Sequence, residues 1–286
     1  PPPPPPPHNS IVVGSSDVYK RQPGIQVMRD VLKSRGYRVS MVAPSDEQSA
    51  ASMGTTMGRN IGLEQIDDDA WHLDARPADT VLIALRHLLK SDPPDLVLSG
   101  INFGPNLGIG LHASGTVAAA MVGLLHGLPS IAISAGMLFE EAEQEPRTFP
   151  STIKALTPAA EFTCSVIETL RAQSAGGDSL LPGGVLLNIN YPPLPPDEIR
   201  GVLYPEISKG HMIELAYKRC DETGHIVPFF LPGVNPREPH REQGDVRAHL
   251  EGYITISTVK PSWNASEQET LEVRQKLGDF PEHLLD

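Results

Sequence analysis

The chain has 286 residues, enough for one large domain or two small ones, and its 40% hydrophobic and 20% charged side chains are the balance of an ordinary globular protein. A formal net charge of −12 argues against a basic stripe that would grip a nucleic-acid duplex. It leaves open a small anion held by a metal ion and backbone amides.

Residues 1–22 open with seven prolines, which favour an extended polyproline helix and bury no core. Ile11-Val12-Val13 then reads as a short strand, followed by the polar run Gly14 to Gln22. From Pro23 the pattern becomes regular. Ile25, Met28, Val31 and Leu32 recur at helical spacing over 23–36, and Gly36 stops the helix. Arg38 to Ala43 is a strand ended by Pro44, and Ala78 to Leu89 a helix closed by Ser91-Asp92-Pro93-Pro94. Asp95 to Ser99 is a buried strand running into the glycine-rich loop Gly100 to Gly110. A helix follows from Thr116 to Gly127, then a buried strand from Ser130 to Ser134. Residues 137–160 are polar and broken by proline, with a helix from Ala160 to Ala172 and a strand from Val185 to Asn190. The stretch 195–245 reads as loops and hairpins, Tyr253 to Ile256 as a strand, and 264–286 as a polar helix with a tail.

Short apolar strands alternating with helices predict an α/β fold, a mostly parallel sheet whose strand ends build the site. No apolar run reaches the roughly 18 to 20 residues of a membrane helix. No signal-peptide pattern opens the chain. Cys164 and Cys220 are too few for a disulfide framework and read as free thiols in a reducing, cytoplasmic compartment.

The most informative stretch is Ser99-Gly100-Ile101-Asn102-Phe103-Gly104-Pro105-Asn106-Leu107-Gly108, with Ser114-Gly115-Thr116 after it. Two asparagines on a glycine-rich turn bring amide groups to a strand end where backbone approaches a ligand closely. Ser114-Gly115-Thr116 opens a helix, and its amides and hydroxyls suit an anion. It is not a P-loop, for no lysine follows the glycines, nor does it have the dinucleotide spacing G-x-G-x-x-G. Singly, each residue is a turn former or a cap. Gathered in one loop, they read as function.

This loop resembles the signature of the SurE nucleotidase family, Ser-Gly-Ile-Asn-x-Gly-x-Asn-x-Gly followed by Ser-Gly-Thr-Val and an alanine-rich helix. Val42-Ala43-Pro44 with Ser49, Pro23-Gly24-Ile25-Gln26, Leu187 to Pro192 and Gly252-Tyr253 resemble further motifs of that family, in its order, over residues 23 to 260. The resemblance implies a three-layer, Rossmann-like, mostly parallel sheet with helices on both faces, plus a β-hairpin and a C-terminal extension. It implies a phosphomonoesterase acting on nucleoside 5'- and 3'-monophosphates, and a homodimer or homotetramer. It also implies a divalent metal, Mg²⁺ or Mn²⁺, on oxygen donors. By position, Ser49 and Asn102 are metal ligands, while Asn106, Ser114, Gly115 and Thr116 hold the phosphate oxygens.

The family's first strand ends in Asn-Asp-Asp-Gly, and here Ile11-Val12-Val13 runs instead into Gly14-Ser15-Ser16-Asp17. Asp17 is the remaining carboxylate for the metal, and residues 1–22 are read as a non-native or disordered segment ahead of a domain spanning 23–286, its core about 23–194 and its extension about 195–286. The alternative function is therefore an inactive nucleotide- or phosphate-binding remnant. Other candidates carry less. Asp67-Asp68-Asp69 is read as a solvated turn, Arg76 as a surface arginine, His112 as a loop histidine and His126 as packed.

Overall fold

The computed structural model describes residues 9–13, 23–46, 48, 50–142, 144, 148–174, 179–220, 223–234, 241–262 and 264–277. In chain order the elements are β1 (Asn9–Val13), α1 (Gly24–Ser34), β2 (Arg38–Pro44), β3 (Leu63–Asp67), β4 (Ala70–Leu73), α2 (Pro77–Ile83), β5 (Leu96–Phe103), α3 (Gly115–Leu125) and β6 (Ser130–Ala135). Then follow α4 (Phe139–Ala142), α5 (Pro150–Gln173), β7 (Leu186–Tyr191), β8 (Val202–Leu203), β9 (Ile213–Arg219), β10 (Ile226–Pro232), α6 (Gly244–Leu250), β11 (Ile254–Val259) and α7 (Glu267–Leu277).

Nine strands form one sheet in the order β3-β4-β2-β1-β5-β6-β7-β11-β8. From β4 to β7 every neighbouring pair is parallel, and β3 on β4 and β11 on β7 run antiparallel. β1, the short strand expected at Ile11, lies between β2 and β5, so the sheet reaches back upstream of residue 23.

Alternation along the strands sorts their side chains to two covered faces. Val39, Met41 and Ala43 of β2, Leu96 and Leu98 of β5, and Ile131 and Ile133 of β6 share one apolar cluster with α1 and α5. Val42 and Val97, one residue out of phase, pack on the other side with α2 and α3. Helices on both faces of a mostly parallel sheet make this a three-layer α/β fold. Each large side chain buried completely from α1, such as Met28 or Leu32, contributes about 1.5–3 kcal/mol by burial.

Several elements depart from the sequence expectation. α5 begins at Pro150, ten residues before the expected start, and carries Pro158 inside it. Thr152, Ala155, Leu156, Ala159, Ala160, Thr163, Cys164 and Ile167 make a buried stripe at helical spacing, and this packing outweighs the hydrogen bond that Pro158 removes. The expected helix over 78–89 ends as α-helix at Ile83 and widens into a π turn over Ala84–Leu88. β3, β4 and α6 were not expected. The acidic triplet forms the turn from β3 into β4, as expected, and is tied to α1: Arg29 pairs with Asp67 and Asp69, and Lys33 with Asp69 at 2.6 Å. Hydrogen bonding to Arg29 lowers the Asp67 carboxyl below its ordinary value. The expected hairpin region contains β9 and β10, which pair with each other.

Candidate functional site

The carboxyl ends of β5, β6 and β7 meet beneath one loop, Gly104 to Gly108. Gly104 N–H donates to the Ala135 carbonyl at the end of β6 (2.8 Å). Asn106 is held on three sides. Its backbone N–H donates to Asn190 Oδ1 (2.7 Å), and its carbonyl accepts from Asn188 Nδ2 (2.8 Å) and Asn190 Nδ2 (3.1 Å). Its own side-chain Nδ2 donates to Ser134 Oγ (2.7 Å). Asn188 and Asn190 stand two apart on β7, so both face the same side of the sheet. Ser134, Asn188 and Asn190 are fully buried. These three positions were not among the sequence candidates as site residues, although the Asn-Ile-Asn alternation at a strand end was visible.

The far end of the loop is pinned by Asp245 of α6, a fully buried carboxylate that accepts from Gly108 N–H (3.1 and 3.2 Å) and Ser208 N–H (2.9 Å). The sequence reading missed it because nothing upstream announces α6, whose start has no side-chain cap.

Ser114 caps α3, its Oγ accepting from Val117 N–H at 3.2 Å. The capping role is therefore real, and it leaves the hydroxyl proton as a donor. The amides of Gly115 and Thr116 fall in the first turn of an 11-residue helix, where N–H groups have no partner within the helix. Gly115 also sits where the loop after β2 comes against α3: a Cβ built on it would stand 2.9 Å from Pro77 Cγ and 3.6 Å from the Gln48 carbonyl. Ser52 strengthens this junction by donating from its Oγ to the His112 carbonyl (2.7 Å) and from its N–H to the Ala113 carbonyl (3.1 Å). Asn106, Ser114, Gly115 and Thr116 thus come from one rim of the sheet.

Asn102, at the end of β5, is buried and donates from Nδ2 to the Gly104 carbonyl (2.7 Å) and the Phe103 carbonyl (3.3 Å). Its amide oxygen is of the donor type that a hard cation takes. Ser49 and Asp17, the other expected ligands, lie outside the described residues. Among the described residues no cluster of three or more His, Cys, Asp or Glu side chains is placed to hold a metal ion. The expected set fits a hard dication by donor type, being all oxygen, and holds one carboxylate against two positive charges.

His112 and Arg76 are exposed, and His126 donates from Nδ1 to the Val122 carbonyl (2.8 Å). Cys164 is buried, and burial pushes its thiol up to about 12, so it is no nucleophile at neutral pH.

The family model described as Survival protein SurE matches residues 11–214, a span that begins inside β1, takes in Asn102 to Thr116, Ser134, Asn188 and Asn190, and stops short of Asp245. The chain belongs to the SurE family. Curated SurE relatives carry the name 5'-nucleotidase SurE. One from Thermosynechococcus vestitus is 36% identical over 245 residues, covering 82% of this chain and 84% of its own length. One from Crocosphaera subtropica is 33% identical over 267 residues, covering 88% of each chain. One from Xylella fastidiosa is 32% identical, covering 87% of this chain and 88% of its own. Among solved structures, the SurE protein from Aquifex aeolicus superposes with a TM-score of 0.70 at 28% identity, over 94% of this chain and 99% of that one.

One titratable group of this SurE chain stands apart from the rim's hydrogen bonds. His249 on α6 is 4% exposed, and neither ring nitrogen has a hydrogen-bond partner among the described residues. Burial pushes its imidazole down to about 4, from an ordinary 6.5. The unfolded chain takes up this proton near pH 6.5 and the folded chain only near 4. Between those values the folded state binds fewer protons, so stability falls as pH drops through that window, by roughly 3 kcal/mol at its foot. Unfolding free energies from urea titrations at pH 7 and pH 4.5 are expected to differ less in His249→Leu than in the parent, by about this amount. Equal acid losses in the two chains would show that this imidazole protonates without penalty.

Proposed function

We propose that the chain hydrolyses nucleoside 5'- and 3'-monophosphates to nucleoside and phosphate. The observation that carries this reading is the Asn106 loop, locked by two strands beside the open first turn of α3. A phosphoryl group on that rim meets the amides of Gly115 and Thr116, the hydroxyls of Ser114 and Thr116 and the remaining Asn106 amide hydrogen. In a phosphoryl-transfer transition state charge spreads over the equatorial oxygens, and fixed donors aimed at them need no reorganisation. The positive end of the α3 dipole acts in the same direction.

The cation for this chemistry is Mg²⁺ or Mn²⁺, held by Asn102, Ser49 and Asp17. When bound it polarises the phosphoryl group and lowers the pKa of an attacking water. The working domain combines residues 23–286 with the upstream strand β1, which stands between β2 and β5. Assembly as a homodimer or homotetramer is supported by β9 and β10, a two-stranded hairpin that exposes Leu215, Tyr217, Ile226 and Leu231. The two thiols favour a cytoplasmic setting.

A second reading, a phosphate-binding protein that does not turn over, is favoured by one observation. β1 ends at Val13 and the chain continues Gly14-Ser15, with Asp17 the first carboxylate after the strand. Phosphate release from 5'-AMP and 3'-AMP, with Mn²⁺ and with EDTA, separates the two. It is run on this chain and on the double variant Gly14→Asp, Ser15→Asp. The expected result is Mn²⁺-dependent release that rises at least tenfold in the double variant. No release from either chain would leave binding without hydrolysis.

A further inference from the structure

A cation stands on this rim beside the neutral phosphate donors. β4 runs parallel to β2, so its carboxyl end delivers residues 74–76 to the same rim as the Asn106 loop and the start of α3. Pro77, the first residue of α2, packs on the phosphate turn, where a Cβ on Gly115 would stand 2.9 Å from its Cγ. Arg76, immediately before it, lays its guanidinium against the loop after β2. A Cβ built on Gly54 would lie 2.0 Å from Arg76 Nη1 and 3.1 Å from Arg76 Cζ, so Gly54 makes room for the group by having no side chain. That loop is bonded through Ser52 to the carbonyls of His112 and Ala113, and Ser52, Gly54, His112 and Ser114 wall one cavity of about 380 Å³. Arg76 is thus tied to the Ser114-Gly115 turn twice, through Pro77 and through Gly54.

The acids nearest in sequence are engaged elsewhere. Asp74 is taken by Arg59, which reaches both its oxygens (2.5 and 3.0 Å). Asp79 accepts through Oδ2 from the backbone N–H groups of Thr56 (2.8 Å) and of Arg76 itself (3.3 Å). Among the described residues no carboxylate pairs with the exposed Arg76 guanidinium.

We propose that Arg76 is a phosphate-binding residue, its guanidinium pairing with the phosphate that sits on the first turn of α3. The inference rests on the phosphomonoesterase reading for where the phosphate sits, and adds the positive side chain that reading lacks. Ser114, Gly115, Thr116 and Asn106 offer only neutral donors, in a chain whose formal net charge is −12. A guanidinium fork matches two phosphate oxygens at once, and hydrogen bonds to it are charge-assisted. Its place against Gly54 restricts the side chain before phosphate arrives, so less freedom is lost on binding. An ammonium on the same stem keeps the charge and loses the fork.

The test is a titration of the full chain with inorganic phosphate, Mg²⁺ present throughout, followed by ³¹P NMR in the parent, Arg76→Ala and Arg76→Lys. Arg76→Ala is expected to weaken phosphate by about tenfold or more, with Arg76→Lys between it and the parent. Parent affinity is expected to fall more steeply than that of Arg76→Ala as NaCl rises from about 0.05 to about 0.5 M, a readout that a merely structural arginine would not move. Phosphate that binds parent and Arg76→Ala equally, or fails to bind the parent, overturns the assignment. So does a loss in Arg76→Ala with the same salt dependence as the parent. Hydrolysis separates the two readings. Mn²⁺-dependent release from 5'-AMP with KM unchanged in Arg76→Ala overturns the arginine while the phosphomonoesterase reading stands. Phosphate bound through Arg76 in a chain that releases none supports the arginine and removes the hydrolase.

Discussion

Gly100→Ala is expected to destabilise the protein by about 3–5 kcal/mol. Gly100 sits on β5 with φ +131°, a backbone conformation that L side chains rarely adopt, and strain of that kind costs about 1–3 kcal/mol. Space is the second term. A Cβ built there would lie 2.2 Å from the Ile133 carbonyl oxygen and 2.7 Å from Ile133 Cγ2. Ile133 cannot retreat, because β6 is paired on both edges and its side chain is fully buried. Forced overpacking of such a core typically adds about 1–3 kcal/mol. Urea unfolding of parent and variant measures the sum. A difference under about 1 kcal/mol would mean that the end of β5 moves aside freely, and the placement of Asn102 two residues on would then not depend on Gly100.

Asn106→Ala is expected to lower kcat for phosphate release by about 10²–10³-fold, the loss seen when one preorganised donor to a developing oxyanion is removed. The fold should survive it. The loop is fixed mainly through the backbone of residue 106, whose N–H and carbonyl bond to Asn190 and Asn188 whatever the side chain is. What disappears is the amide that donates to Ser134 Oγ and that, in the proposed function, also reaches the phosphate. Asn106→Asp keeps the shape but replaces the donor with a like charge facing phosphate, and should be at least as damaging. Both are compared in the most active form of the chain, with urea midpoints alongside. A fall of less than tenfold in kcat with unchanged stability would place the phosphate elsewhere on the rim.

Much of this was legible in the sequence because the informative residues are close together. Asn102 to Thr116 fall in one continuous segment, and the strands that carry it are unbroken apolar runs that only a sheet covered on both faces can bury. The supporting residues were harder to see. Ser134, Asn188 and Asn190 belong to such runs and read as ordinary strand positions until the register puts them under Asn106. Asp245 and His249 lie on a short helix whose start has no side-chain cap, within a stretch rich in proline and glycine. α5 was foreshortened for the opposite reason: Pro150 opens the helix, and Pro158 is a strong local breaker that only the buried stripe along the helix shows to be overcome.

The central position of β1 has a consequence for anyone cutting this chain. A version starting at residue 23 would leave β2 and β5 without the neighbour each pairs with. The sheet order would then read β3-β4-β2 and, across a gap, β5-β6-β7-β11-β8. Two raw strand edges, both largely apolar, would face each other across a slot one strand wide, an open invitation to a strand from another molecule. Trimming the proline-rich leader should therefore stop short of Asn9.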